Sequence, residues 1–138
     1  MELIHPDLAS FDYFYRYLMY LSSGVALLLL FAVIYVRFTP YDELGLIRAG
    51  HTAAAFSFGG ALIGFALTLA SSAVFNASLV GFIGWSLAAM LVQVLVYLAL
   101  ERIIPNLRDA LEANNVAVGG FMGSVSITIG ILNAACLS

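Results

Sequence analysis

The sequence predicts an all-α membrane protein in which four transmembrane helices form two parallel two-helix repeats. The first observation is the composition: 63% of the 138 residues are hydrophobic and 9% are charged, whereas about a quarter are charged in a soluble domain. The second is that residues 17–36, 49–100 and 113–138 contain no Asp, Glu, Lys or Arg. The third is a pattern that recurs 64 to 65 residues later. An ordinary water-soluble protein is therefore excluded.

The spans follow from the lengths of the uncharged stretches. About 20 apolar residues cross a bilayer core about 30 Å thick, so the first and last stretches each hold one span. The middle stretch holds two, because the polar residues 71–78 at its centre predict a tight hairpin. A β-barrel is excluded because the apolar runs lack the alternation of a barrel strand. The predicted spans are residues 17–36, 51–70, 79–100 and 116–137.

The arginines predict the orientation. Positive charge is retained on the cytoplasmic side, so the loops between spans one and two and between spans three and four are predicted to be cytoplasmic. Both termini are then periplasmic, and residues 1–16, which lack a cleavage site, are expected to remain as an extracytoplasmic segment. Arg16 is the one arginine that disagrees. The four loop arginines are Arg37, Arg48, Arg102 and Arg108.

The two predicted repeats are residues 17–74 and 75–138. A shift of 65 residues aligns the first span and its loop with the third, and a shift of 64 residues aligns the second span with the fourth. Each repeat contains two crossings, so both halves have the same orientation about an axis along the membrane normal. The aligned pairs include Tyr20 and Trp85, Arg37 and Arg102, Pro40 and Pro105, His51 and Asn115, Gly59 and Gly123, and Ala70 and Ala134.

Small residues recur at steps of four on spans two and four. Inside lipid, helices associate where small residues let their backbones approach. Both ridges are therefore predicted to be packing surfaces, within one chain or between copies, and they predict a homo-oligomer. The ridges are Gly60, Gly64 and Thr68 on span two, and Gly120, Ser124 and Thr128 on span four.

A second stripe on span four is polar and faces a polar stripe predicted on span three. A polar side chain in hydrocarbon is costly unless it is satisfied, so these faces should meet protein or water. They either bond to each other or line a path for a small ion or solute. The candidate path residues are Ser86, Gln93, Tyr97 and Glu101 on span three, and Asn115, Ser126 and Asn133 on span four.

His51 and Asn114 stand where spans two and four begin. Histidine titrates near neutral pH, so His51 is either a gate or a residue that starts a helix among lipid headgroups. Asn114 and Asn115 are candidate helix N-caps. The loop carboxylates, Glu43 among them, are expected to form interfacial ion pairs with the nearby arginines.

These residues also carry a family resemblance. The segments "RAGHTAAAFSFGGALIGFALTLASS" (residues 48–72) and "EANNVAVGGFMGSVSITIGILNAA" (residues 112–135) resemble the YjfL-like inner-membrane proteins, catalogued as domain of unknown function 350. That family has a Gly-Asn or Asn-Asn pair before the small residues of each repeat, and His51 stands where asparagine is usual. The resemblance implies a bacterial inner membrane, no established activity, and partner proteins of the envelope-stress response.

Two functions remain open. The first is a homo-oligomeric structural or envelope-stress component of the inner membrane. The second is a channel or transporter for a small ion or solute along spans three and four. The chain offers no activated nucleophile and no glycine-rich phosphate loop, so no enzyme and no cofactor are expected. With one cysteine and no basic patch, neither a metal site nor nucleic-acid binding is expected, and the predicted partners are the lipid bilayer and further copies.

Overall fold

The computed structural model describes residues 6–138, with side chains from residue 10 onward. Six helices follow one another along this part of the chain, which contains no β-strand. The first five residues of the predicted N-terminal segment, His5 among them, lie outside the described residues. The helices are α1 (Pro6–Phe38), α2 (Glu43–Arg48), α3 (Thr52–Phe75), α4 (Leu79–Ile103), α5 (Leu107–Glu112) and α6 (Val116–Cys136).

Four of the helices are long and apolar enough to cross a membrane, which confirms the number of spans and the all-α class. The sequence missed the two six-residue helices, α2 and α5, which lie in the charged loops between these spans. The candidate spans are Ser10–Phe38, Thr52–Phe75, Leu79–Ile103 and Val116–Cys136.

The hairpin between α3 and α4 is shorter than predicted. Residues 71–75 belong to α3, so only three residues separate the two helices. The prediction is wrong there because the hydroxyls of both serines donate to carbonyls of other helices, which keeps these residues within α3. The hydroxyl of Ser71 donates to the Ala134 carbonyl (2.6 Å). The hydroxyl of Ser72 donates to the Phe82 carbonyl (3.2 Å).

The closest helix contact is between α3 and α6, which run in the same direction. Gly60 packs on the backbone of Gly123, and farther along Thr68 donates to the Gly130 carbonyl (3.2 Å). A side-chain carbon placed on Gly60 would overlap the backbone of α6. Glycine is therefore required here by close backbone approach, which is how helices associate in lipid.

α1 and α4 pack around this pair. The rings of Phe31 on α1 and Phe65 on α3 lie 4.7 Å apart between centroids, and Tyr20 on α1 lies 5.3 Å from Phe82 on α4. α3 is the central helix, because it contacts each of the other five. Ten of the 24 residues of α3 are buried within the chain, compared with three of the 29 residues of the α1 span.

α2 and α5 cover one end of the bundle, here named the loop end, because they precede the adjacent starts of α3 and α6. Both end at a residue with left-handed backbone: Gly50 (φ 86°) after α2 and Asn114 (φ 57°) after α5. The amide of the following residue then bonds back to Leu46 (3.0 Å) or Ala110 (2.8 Å). This is the Schellman arrangement, which satisfies helix C-terminal carbonyls.

We expect Gly60→Ala to lower the free energy of unfolding by about 1 to 3 kcal/mol, because the added methyl forces α3 and α6 apart. The control is Gly84→Ala on α4, since nothing lies within 4 Å of a side-chain carbon placed on Gly84. That variant should keep or raise stability, because alanine is favoured over glycine in a helix by about 1 kcal/mol. Thermal unfolding in detergent, followed by Trp85 fluorescence, measures both. Equal melting temperatures for the two variants would contradict the packing described above.

Candidate functional site

Four residues of the candidate path are buried in the interior of the bundle, three of them spread over about three turns of α4. Ser86, Gln93 and Tyr97 on α4 and Ser126 on α6 are all buried. Gln93 Nε2 donates to the Ser126 carbonyl (3.1 Å), which joins the two predicted polar faces at one point. The hydroxyls of Ser86 and Tyr97 and the Gln93 Oε1 atom are enclosed without a hydrogen-bond partner. The interior therefore contains polar atoms that have no hydrogen-bond partner within the described chain.

The other three candidate path residues make no hydrogen bond to these four. Asn115 is exposed at the loop end, where its Oδ1 atom accepts from the Val118 amide (3.3 Å) and caps α6. Glu101 is half-buried. Asn133 is also half-buried, and its Nδ2 atom is enclosed without a partner.

The start of α3 is capped from the other half of the chain. His51 occupies the N-cap position, but its side chain makes no capping bond, and its Nδ1 atom is enclosed without a partner. Asn114 Oδ1 instead accepts from the Ala53 amide (3.0 Å) and the Thr52 hydroxyl (3.3 Å). The helix N-cap chemistry that the sequence suggests for Asn114 thus acts on α3, whereas Asn115 caps α6.

The two predicted packing ridges have different environments. Gly60, Gly64 and Thr68 are buried against α6. The ridge on α6 instead faces outward: Ser124 and Thr128 are exposed, and their hydroxyls bond to carbonyls four residues earlier in their own helix (2.8 Å each). The prediction that this ridge packs within the chain is therefore wrong, because α6 packs on α3 through a different face. Packing between copies stays a prediction. The inward glycines of α6 are Gly119, Gly123 and Gly130.

The outward face of α3 and α6 forms a groove of about 590 Å³. A side-chain carbon on Gly59 or Gly120 would meet nothing within 4 Å. We name this the α3/α6 groove; its lining includes Phe56, Gly59, Ile63, Gly120, Ser124 and Ile127.

A buried acidic group lies at the start of α2, where the sequence predicts a solvated loop. Glu43, the first residue of α2, has no exposed surface, and it is the only buried acidic residue among residues 10–138. The Tyr41 hydroxyl donates to Glu43 Oε1 (3.1 Å), while Oε2 is enclosed without a partner. The predicted ion pair is wrong, because within residues 10–138 the only ion pair joins Arg108 and Glu112 (2.9 Å). Burial raises the pKa of Glu43 to about 8, although the Tyr41 hydrogen bond lowers it.

Tyrosines from three elements enclose the Glu43 carboxyl. Tyr35 from α1 bonds to the Ser57 hydroxyl of α3 (3.3 Å), and its ring meets that of Tyr97 from α4 edge-on, 5.1 Å between centroids. Tyr41, from the loop before α2, is also buried, and burial raises the pKa of its hydroxyl. We name Glu43, Tyr41, Tyr35, Tyr97 and Ser57 the Glu43 cluster.

The repeat in the sequence does not locate this cluster, because the 65-residue shift that aligns the two loops places Glu43 on Arg108. The helix starts in the structure instead pair Glu43, the first residue of α2, with Leu107, the first residue of α5. Leu107 is buried as well. A carboxyl group therefore stands where the corresponding loop buries a leucine.

The cap on α3 gives a testable prediction. We expect Asn114→Gly to cost about 1 kcal/mol of stability, the net worth of an intramolecular hydrogen bond. Asn114→Ala should cost about 1 kcal/mol more, because alanine is strained in the left-handed conformation. Asn106 is the control: it is also left-handed (φ 53°) but makes no side-chain cap, so Asn106→Gly should not lower stability. Melting temperatures in detergent rank the variants, and an unchanged Asn114→Gly protein would show that the cap contributes nothing.

Comparison with known proteins places the chain in a family. The family described as Domain of Unknown Function (DUF350) matches residues 8–137. The chain is 35% identical over 119 residues to the UPF0719 inner membrane protein YjfL of Escherichia coli strain K12, covering 86% of this chain and 90% of the relative. The protein of the same name from strain O157:H7 gives the same values. No solved structure matches. With its four apolar helices, the chain is a multi-pass inner-membrane protein, and it belongs to the DUF350 family.

Proposed function

We propose that this protein is a homo-oligomeric structural component of the inner membrane and that its copies pack through the α3/α6 groove. The observation that carries the proposal is the outward ridge on α6, which has no partner within the described chain. A side-chain carbon on Gly120 would meet nothing within 4 Å. The hydroxyls of Ser124 and Thr128 already donate to carbonyls of their own helix. This surface needs no polar contact from its neighbour, and its small residues permit a close approach.

The occupant we propose is a helix from a second copy. Glycine disfavours a helix by about 1 kcal/mol relative to alanine, and packing within the chain accounts for Gly60 and Gly123 but not for Gly59 and Gly120. A helix of a second copy in the groove would explain these two glycines, because close approach of its backbone requires small residues there.

The proposal includes the two-repeat arrangement and the orientation. The element order supports it, because a long helix, a six-residue helix and a second long helix occur in each half. Both six-residue helices also end at a left-handed residue. The loop arginines support periplasmic termini, since four of five lie between the first and second or the third and fourth spans. The repeats are residues 17–74 and 75–138.

The role that the family resemblance supports is organisation of the cell envelope or its response to stress, together with partner proteins. Assembly of copies would then present several loop ends on one side of the membrane. A strain that lacks the gene should become sensitive to envelope stress, and the wild-type gene should restore resistance.

A second candidate function is a path for a small ion or solute through the interior. The observation that favours it is the group of enclosed, unpartnered polar atoms on Ser86, Gln93 and Tyr97. Intramembrane polar groups that protein does not satisfy are typical of hydrated pathways. Gln93 stands at the contact between α4 and α6, where the path would cross between the two helices.

Self-association is tested with Gly120→Leu, which projects a side chain into the groove from a position where a side-chain carbon meets nothing within 4 Å. We expect the wild-type protein in mild detergent to have a mass of two or more protomers by light scattering, and the variant to shift to one protomer with an unchanged melting temperature. Ala88→Leu, at an exposed small residue of α4, is the control and should leave the mass unchanged. A wild-type protein that runs as a single protomer in lipid nanodiscs and detergent alike would exclude the proposal.

The path is tested by flux into proteoliposomes that contain proton-, sodium- or potassium-sensitive dyes. We expect Gln93→Leu and Asn133→Leu to abolish any flux that the wild-type protein supports, because each replaces a polar group with an apolar one of similar size. Thr128→Val changes an exposed polar residue on the outer face and should retain flux. Absence of wild-type flux for all three ions would leave self-association as the only candidate of the two.

A further inference from the structure

Glu43 itself has no role in either function proposed above. Glu43 is fully enclosed, one of its carboxyl oxygens lacks any partner, and no cation lies within 4 Å of it among residues 10–138. We propose that the cluster is a proton-binding site, in which Glu43 holds a proton on Oε2 at neutral pH and releases it only in alkaline solution.

The alternative, an ionised Glu43, is opposed by its surroundings. A buried carboxylate is costly unless a cation or several hydrogen bonds compensate it, and Glu43 has one donor, the Tyr41 hydroxyl. The titratable groups that act on the cluster are the three tyrosines and Glu101 of α4, whose charge acts on Tyr97. None of them is a cation. α3 contributes Ser57 and α6 contributes Met122, neither of which titrates.

The proton also changes the hydrogen-bonding capacity of the cluster. An ionised carboxylate can only accept, whereas the acid donates through one oxygen and still accepts through the other. With the proton on Oε2, Oε1 keeps the bond from Tyr41. Oε2 becomes a donor inside a cluster where the Tyr97 hydroxyl is also enclosed and unpartnered.

The site is held in place by the first turn of α2. Asp42 caps this helix by accepting from the Gly45 amide (3.0 Å), and a side-chain carbon on Gly45 would overlap the Asp42 carboxyl. This turn points its first residue inward, as α5 does with Leu107. At the start of α5 a buried leucine fills the corresponding place without an acid. The carboxyl group is therefore an addition to the fold, with proton binding as the chemistry that its surroundings allow.

Infrared spectroscopy of the protein in lipid nanodiscs tests this directly, because a protonated carboxyl has a carbonyl stretch that a carboxylate lacks. At pH 7 we expect such a band in the wild-type protein, and we expect its loss between about pH 7 and pH 9. Glu43→Gln should remove the band, and Glu101→Gln should retain it. A wild-type protein without the band at pH 7, or a band that Glu43→Gln leaves in place, would overturn the proposal.

Tyr41→Phe adds a second test that does not remove the acid. The Tyr41 hydrogen bond favours the charged form of Glu43, so its loss should move the loss of the band to higher pH. The titration should be the same in sodium, potassium and choline chloride. A titration midpoint that falls in Tyr41→Phe would contradict the assignment of this hydrogen bond to the ionised form of Glu43. A midpoint that moves when choline replaces sodium would show that a metal cation rather than a proton compensates the carboxyl.

Stability should follow the proton. The folded protein binds the Glu43 proton more tightly than the unfolded chain, whose glutamate loses it near pH 4.5. Stability relative to Glu43→Gln is therefore fully present below about pH 4.5 and falls as pH rises to about 8, where the folded protein also releases the proton. Over that range the equilibrium constant for unfolding should rise about tenfold per pH unit. A pH profile identical to that of Glu43→Gln would contradict the proposal.

Discussion

The close backbone contact between α3 and α6 is the constraint on which the rest of the bundle depends. Lipid tails are as apolar as leucine, so these helices gain little by hiding apolar side chains and must gain by approaching closely. Glycines at the contact permit that approach, and Thr68 and Gln93 add hydrogen bonds to carbonyls of α6. Because both helices run the same way, their starts lie together, which brings α2 and α5 to the same end.

The sequence predicted the spans because their signal is local: uncharged runs of the right length stand between charged loops. It could not decide which face of α6 turns inward. Gly120, Ser124 and Thr128 form one small-residue stripe, and Gly119, Gly123 and Gly130 form another about 100° around the same helix. Both stripes suit close packing, and hydrophobicity cannot choose between them in a membrane. The choice depends on the glycines of α3, more than 60 residues earlier.

The Glu43 cluster was hidden for a related reason. An acid followed within five residues by an arginine normally indicates a solvated loop, and Asp42 and Arg48 are indeed exposed. Glu43 is buried because α1 and α4 each bring a tyrosine to the loop end, a long-range arrangement that no local pattern encodes. The inward position became visible only in the structure, where the first residues of α2 and α5, Glu43 and Leu107, are both buried.

Asn114 binds the start of α3 across 61 residues of sequence. During synthesis the start of α3 is made 61 residues before this asparagine, and His51 supplies no capping bond in its place. The leading amides of α3 must therefore remain with water or lipid headgroups until the last loop is made. The N-terminal half is consequently an unfinished folding unit, and a gene fragment that encodes it alone would lack the group that completes its second helix.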